Sequence, residues 1–231
     1  MSANANVLGT SEAVRPSAKP KTVLRSEKLP ETSSWNGADF AREQILGLVR
    51  RTFLAGPECK RRQIVFCPLE GHFEITNICA LVAEILACET SGDVAFVEGP
   101  QAGEQSAFCP AYRLGIKACS TAMSTNMWRV PNYAVSRAEK PNATLQWISF
   151  LAALRQEFEY CVLLGPAATS SDAFLLGQLT DGIILVLGAH STRRAAARNI
   201  KQTLQGVQSR ILGTILTDRR FPVPELLYRR L

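Results

Sequence analysis

Gln63-Ile64-Val65-Phe66-Cys67-Pro68-Leu69-Glu70-Gly71-His72-Phe73-Glu74-Ile75-Thr76-Asn77-Ile78-Cys79-Ala80-Leu81-Val82-Ala83-Glu84-Ile85-Leu86 is the stretch on which the fold turns. Residues 63–67 are a short, β-branched apolar run, as a buried parallel strand is. Residues 68–73 read as a loop. Ile75, Ile78, Cys79, Val82, Ile85 and Leu86 then recur at three- and four-residue steps, which predicts a helix that Ser91-Gly92-Asp93 ends. A strand, a short glycine-bearing loop and a helix N-terminus form the arrangement that binds phosphate, because free backbone N–H groups and the helix dipole favour an anion there.

Outward from this unit the alternation repeats. Strands are predicted at residues 94–97, 161–164, 183–187 and 211–216, and helices at 145–158, 172–179 and 192–207. This pattern predicts an α/β fold, a mostly parallel sheet with helices on both faces. On the N-terminal side, Asp39 can cap a helix running to residue 54, with Phe40, Ile45, Leu46, Val49 and Phe53 as its apolar stripe. Its other face carries Arg42, Arg50 and Arg51. Residues 1–36 mix Ser, Thr, Pro, Lys and Glu without a sustained period and read as a disordered tail. Residues 37–231 then form one domain, as the length favours. Residues 99–142 have weak periodicity and are expected to be irregular loops with at most one helix. A helical turn is expected at 225–230.

The chain has 231 residues, a formal charge of +6 and a pI near 9.1. That balance favours an acidic partner: nucleic acid, an anionic membrane surface or an acidic protein face. Its seven cysteines are scattered without a C-x-x-C pair and fit reduced, mostly buried thiols. With His72 and His190 as the only histidines, no zinc site is expected. The N-terminus shows no apolar run behind a basic start, so a secretory signal is not expected. The longest strongly apolar stretch, residues 183–187, is too short to span a bilayer. No G-x-S-x-G elbow and no H-E-x-x-H is present, and no catalytic residue is nominated.

Phosphate chemistry at residues 68–73 would need glycines for close backbone approach, a Lys for phosphate charge and a Ser or Thr hydroxyl on Mg²⁺. Aligning Gly71 with the glycine before that Lys puts His72 in the lysine position and Phe73 in the hydroxyl position. Phe66 and Leu69 stand where glycine is expected, and Glu70 adds a repelling charge. A largely neutral imidazole is no substitute for a fixed ammonium, and a phenyl ring cannot ligate Mg²⁺. Pro68, Glu70, Gly71, His72 and Phe73 are therefore read as a degenerate phosphate loop. Of the later strand ends that should supply acids, one keeps Glu98, and the other runs into Gly165-Pro166 with none. Each residue also has a structural reading: His72 is a polar residue at a helix start, and Glu98 a solvated acid at a strand end.

Residues 160–231, with Leu179-Thr180-Asp181-Gly182 entering a strand, Thr192-Arg193-Arg194 opening a helix and Asp218-Arg219-Arg220-Phe221-Pro222-Val223-Pro224 leading to Tyr228-Arg229-Arg230-Leu231, resemble the capsular and exopolysaccharide-biosynthesis family of bacterial tyrosine-kinase-like P-loop proteins. That family is related to the partitioning-type ATPases. Cys67-Pro68-Leu69-Glu70-Gly71-His72 resembles its Pro-Gly-Glu-Gly-Lys loop more distantly. The resemblance covers residues 38–231 and implies a P-loop NTPase-like three-layer architecture. It also implies a cytoplasmic place, peripheral at the inner face of the membrane, beside a membrane protein of polysaccharide chain-length control or export, and it leaves self-association open. Active members use ATP and Mg²⁺ and carry a terminal tyrosine cluster, whereas Tyr112, Tyr133, Tyr160 and Tyr228 are dispersed. The reading is thus a non-catalytic or weakly nucleotide-binding protein with no cofactor expected. It would dock through Arg193, Arg194, Arg219, Arg220, Arg229 and Arg230. Two alternatives stay open. One is an ATPase or tyrosine autokinase for which His72 and backbone amides suffice, with ATP and Mg²⁺ bound. The other is a DNA-binding partitioning-type protein using the same arginines, with steep salt dependence.

Overall fold

A computed structural model of the chain describes residues 37–56, 61–69, 74–99, 115–131 and 143–218. Its elements in chain order are α1 (Gly37–Thr52), β1 (Gln63–Pro68), α2 (Glu74–Glu89), β2 (Val94–Val97), β3 (Thr121–Ala122), β4 (Met127–Val130), α3 (Ala143–Glu157), β5 (Tyr160–Leu164), α4 (Ser171–Leu179), β6 (Gly182–Gly188), α5 (Arg194–Gly206) and β7 (Ile211–Thr217). The seven strands form one sheet in the order β3-β4-β2-β5-β1-β6-β7. All pairs are parallel except β3 with β4. The expected tail, residues 1–36, and the expected turn at 225–230 lie outside the described residues.

Strand alternation divides the core between two faces. Val65, Cys67, Ala95, Val97, Cys161, Leu163, Ile183 and Leu185 join Trp147, Phe150, Leu151 and Leu154 of α3, Leu176 of α4 and Leu204 of α5. Ile64, Phe66, Val94, Phe96, Val162, Ile184 and Val186 instead join Val49 and Phe53 of α1 and Cys79, Val82 and Leu86 of α2. Every residue of β1 and β2 is buried, so these strands are continuous apolar runs, as parallel strands covered on both faces must be. Each fully buried Ile, Leu or Phe contributes about 1.5–3 kcal/mol. The charged face of α1 is spent on α2: Arg42 pairs with Glu84 at 3.2 Å and Arg50 with Glu89 at 3.0 Å.

Residues 99–142 are not loops with a helix where they are described. Residues 115–131 hold a 3-10 turn, Lys117–Cys119, and strands β3 and β4. Two and four residues long, these strands are too short for a period to register, and in β4 the two buried residues, Met127 and Val130, are three apart. Their positions are fixed by side chains elsewhere. The Asn126 amide donates to the carbonyls of Ala87, Thr90 and Gly92. Asp93 accepts from Lys117 Nζ at 2.7 Å and Trp128 Nε1 at 3.1 Å.

The amino end of β1 is clamped by the Leu179-Thr180-Asp181-Gly182 segment. One Asp181 carboxylate oxygen accepts from the backbone N–H groups of Arg62 (2.7 Å) and Gln63 (2.8 Å). The other accepts from Arg155 Nη2 at 2.8 Å. Arg155 Nε donates to Gln63 Oε1, and Gln63 Nε2 donates to the Leu151 carbonyl. Gln63 is fully buried, and this network satisfies its side-chain amide, as a buried polar group requires.

Candidate functional site

Parallel strands put the carboxyl ends of β1, β2, β4, β5, β6 and β7 along one edge of the sheet. From β1 the chain crosses to β2 on one side, and from β5 it passes over β1 to β6 on the other. The carboxyl end of β1 is therefore where the connections diverge, the place where open α/β sheets bind ligands. Pro68 and Leu69 lie there. Glu70, Gly71, His72 and Phe73 lie outside the described residues, and α2 begins at Glu74.

Leu69 occupies a position where a phosphate loop would have glycine, and it is 3% exposed. Its side chain belongs to the core cluster that includes Ala168, Ala173 and Leu185. Its backbone N–H donates to the Val186 carbonyl at 3.0 Å. The Pro68 carbonyl accepts from Ala168 N–H at 2.7 Å, and Phe66 O accepts from Gly165 N–H at 2.9 Å. The backbone groups at the carboxyl end of β1 are thus tied to β6 and to the segment that follows β5.

The end of β5 has a geometric reason to lack an acid. A Cβ at Gly165 would sit 2.6 Å from Val65 Cγ1, 2.7 Å from Cys67 Sγ and 3.2 Å from the Phe66 carbonyl. A side chain of any kind there collides with β1. The end of β2 does carry Glu98, but Arg129 at the end of β4 forms an ion pair with it at 2.5 Å. The carboxylate is only 16% exposed against 46% for the guanidinium, so the arginine lies on the solvent side of the pair. Sequence reading nominated Glu98 and missed Arg129. The parallel pairing of β2 with β4, which sets Val97 beside Val130, brings the two together, and it could not be read from a segment without visible period.

Arg193 and Arg194 are exposed at the start of α5, after the carboxyl end of β6. Thr192 Oγ1 accepts from Gly188 N–H across the preceding turn. Arg219, Arg220, Arg229 and Arg230 lie outside the described residues. Among the described cysteines all are free thiols, with Cys67, Cys79 and Cys161 buried. Burial pushes the Cys67 and Cys161 thiols up to about 12 and Cys79 higher still, so they stay protonated and pack as small apolar groups. Among the described residues no helix is long and apolar enough to cross a membrane.

No family model and no curated protein matches this sequence. Solved structures do match by shape. The kinase domain of VpsO is 19% identical with a TM-score of 0.60, over 79% of this chain and 98% of that one. The kinase domain of the Escherichia coli tyrosine kinase ETK is 12% identical with a TM-score of 0.59, over 79% of each chain. A plasmid partition protein from Borrelia burgdorferi is 13% identical with a TM-score of 0.51, over 74% of this chain and 86% of that one. At such identities the likeness establishes the fold: a layered, mostly parallel α/β sheet like that of these kinase domains and partition proteins, the sheet that the alternation of strands and helices predicted.

Proposed function

We propose that this chain is a non-catalytic, at most weakly nucleotide-binding protein of bacterial exopolysaccharide or capsule biosynthesis. It acts in the cytoplasm by docking to a membrane protein of chain-length control or export. The exopolysaccharide assignment rests on the resemblance of residues 160–231, and the fold shared with tyrosine kinase domains agrees with it. The observation that carries the non-catalytic part is the Glu98–Arg129 pair. A carboxylate that would help hold a nucleotide's Mg²⁺ already has a fixed cation against it, and the metal would have to displace a guanidinium to enter. Leu69 packed in the core and Gly165 closed against β1 support the same reading. The described residues at this edge do not fit magnesium and a triphosphate.

Calorimetry of the full chain with ATP and ADP, each with Mg²⁺, tests this. The expected result is no heat at micromolar nucleotide and no phosphate release. Micromolar binding with hydrolysis, or labelling of Tyr228 by the chain itself, would return the protein to the active ATPase or autokinase reading. Co-purification of the tagged chain with a membrane protein encoded beside polysaccharide-export genes is expected, and its absence from such fractions would remove the docking part.

A further inference from the structure

Charge is distributed unevenly along the chain. Residues 182–217 contain Arg193, Arg194, Arg198, Lys201 and Arg210 and no Asp or Glu. This stretch therefore carries +5, while all the rest of the chain nets +1 of the total +6. Such asymmetry points to an acidic partner for this part of the surface.

The structure sharpens the point. Outside residues 182–217 the described cations other than Arg62 have partners: Arg42, Arg50, Lys117, Arg129 and Arg155 pair with carboxylates. Arg51 and Arg61 donate to backbone carbonyls. On α5, Arg194, Arg198 and Lys201 are exposed and have no ion pair or side-chain hydrogen bond among the described residues. Steps of four and three put them on one flank of the helix, over about 10 Å of its length. The opposite side of α5, with Ala196, Ala197, Ile200 and Leu204, packs into the core. Nor do these cations serve the helix itself. Its first turn holds no acid, and Arg194 stands at the positive end of the macrodipole, where a cation costs a few tenths of a kcal/mol.

We propose that this flank of α5 is a docking surface for an acidic protein segment. Guanidinium forks at Arg194 and Arg198 match carboxylates in two-point geometry. Asn199, Gln202 and Gln205 on the same exposed side offer both donors and acceptors, which a polypeptide can satisfy. A phosphate backbone offers acceptors alone and would leave the amide oxygens unpaired. A membrane surface is disfavoured because the exposed side of α5 has no Leu, Phe or Trp to enter the lipid boundary. The inference rests on the docking part of the proposed function and not on its nucleotide part, so calorimetry with ATP leaves it untouched.

The test uses the full chain and three probes: poly-L-glutamate, phosphatidylglycerol vesicles and a short duplex DNA, each at about 50 and 200 mM salt. Wild type is expected to bind poly-L-glutamate best. Replacing Arg194, Arg198 and Lys201 together by Ala is expected to weaken that binding about tenfold or more, with the fold kept by circular dichroism. The triple variant R42A/R51A/R62A removes the same charge outside residues 182–217 and is expected to stay within about twofold of wild type. Arg198→Glu alone gives the same comparison if the α5 triple variant misfolds. No binding of poly-L-glutamate, equal loss in both triple variants, or tighter binding to vesicles or DNA through these three residues would each overturn the proposal.

Discussion

Replacing Asp181 by Ala removes three contacts at once, and the structure sets a scale for each. The ion pair with Arg155 is partly exposed, 43% on the arginine and 23% on the aspartate, and after solvent screening it contributes under about 1 kcal/mol. The Arg62 N–H lies at an exposed position and recovers water. The Gln63 N–H belongs to a fully buried residue, and losing its acceptor costs about 1–3 kcal/mol. The sum for Asp181→Ala is about 1–4 kcal/mol. Asp181→Asn keeps an oxygen acceptor and should cost about half as much. Urea unfolding followed by tryptophan fluorescence and circular dichroism measures both. The loss in Asp181→Ala should persist in about 1 M NaCl, because screening at that salt reaches the exposed pair and not the buried N–H. A loss below about 0.5 kcal/mol, or one that vanishes in high salt, would show that the clamp is a surface ion pair and nothing more.

Other expectations follow from single contacts. Gly165→Ala should destabilise by about 1–3 kcal/mol through overlap with Val65 and Cys67, whereas Gly206→Ala, with no described atom within 4 Å of the added carbon, should be neutral or stabilising in the same urea assay. Asp93 is held below the ordinary aspartate value, first by the hydrogen bond from Lys117. A depressed folded value means that its contribution is present above the unfolded value, about 3.9, and is lost as pH falls further through the folded value. Asp93→Asn should therefore flatten the acid limb of a stability–pH curve, and an unchanged limb would remove this assignment. A thiol reagent should label exposed Cys88 in the native chain and reach Cys67, Cys79 and Cys161 only on unfolding, with mass spectrometry giving the order.

The central strands and the helices were legible because burial on both faces writes continuous apolar runs, and helix faces write three- and four-residue steps. Glu74–Glu89 and Gly182–Gly188 match the expected helix and strand closely. Asp39 proved to lie in the first turn of α1, inside the helix it was expected to cap. Strands β3 and β4 were illegible since polar anchors such as Asn126 and Asp93, distant in sequence from what they hold, fix them more than any pattern of their own. At the site, the departures at Leu69 and Gly165 were visible as residue types. What the sequence withheld was their cause: a leucine drawn into the core, and a glycine pressed on a neighbouring strand. Leu179-Thr180-Asp181-Gly182 carried the family resemblance, yet its work in this chain is structural, at the edge of the sheet opposite the candidate site.

The packing at Gly165 also bears on descent. A mutation that put an aspartate there would land a side chain on Val65 and Cys67 in the neighbouring strand β1, so a route to an acid at that strand end passes through a poorly folded intermediate unless β1 is trimmed in the same step. The interior itself thus opposes a charged side chain at the end of β5.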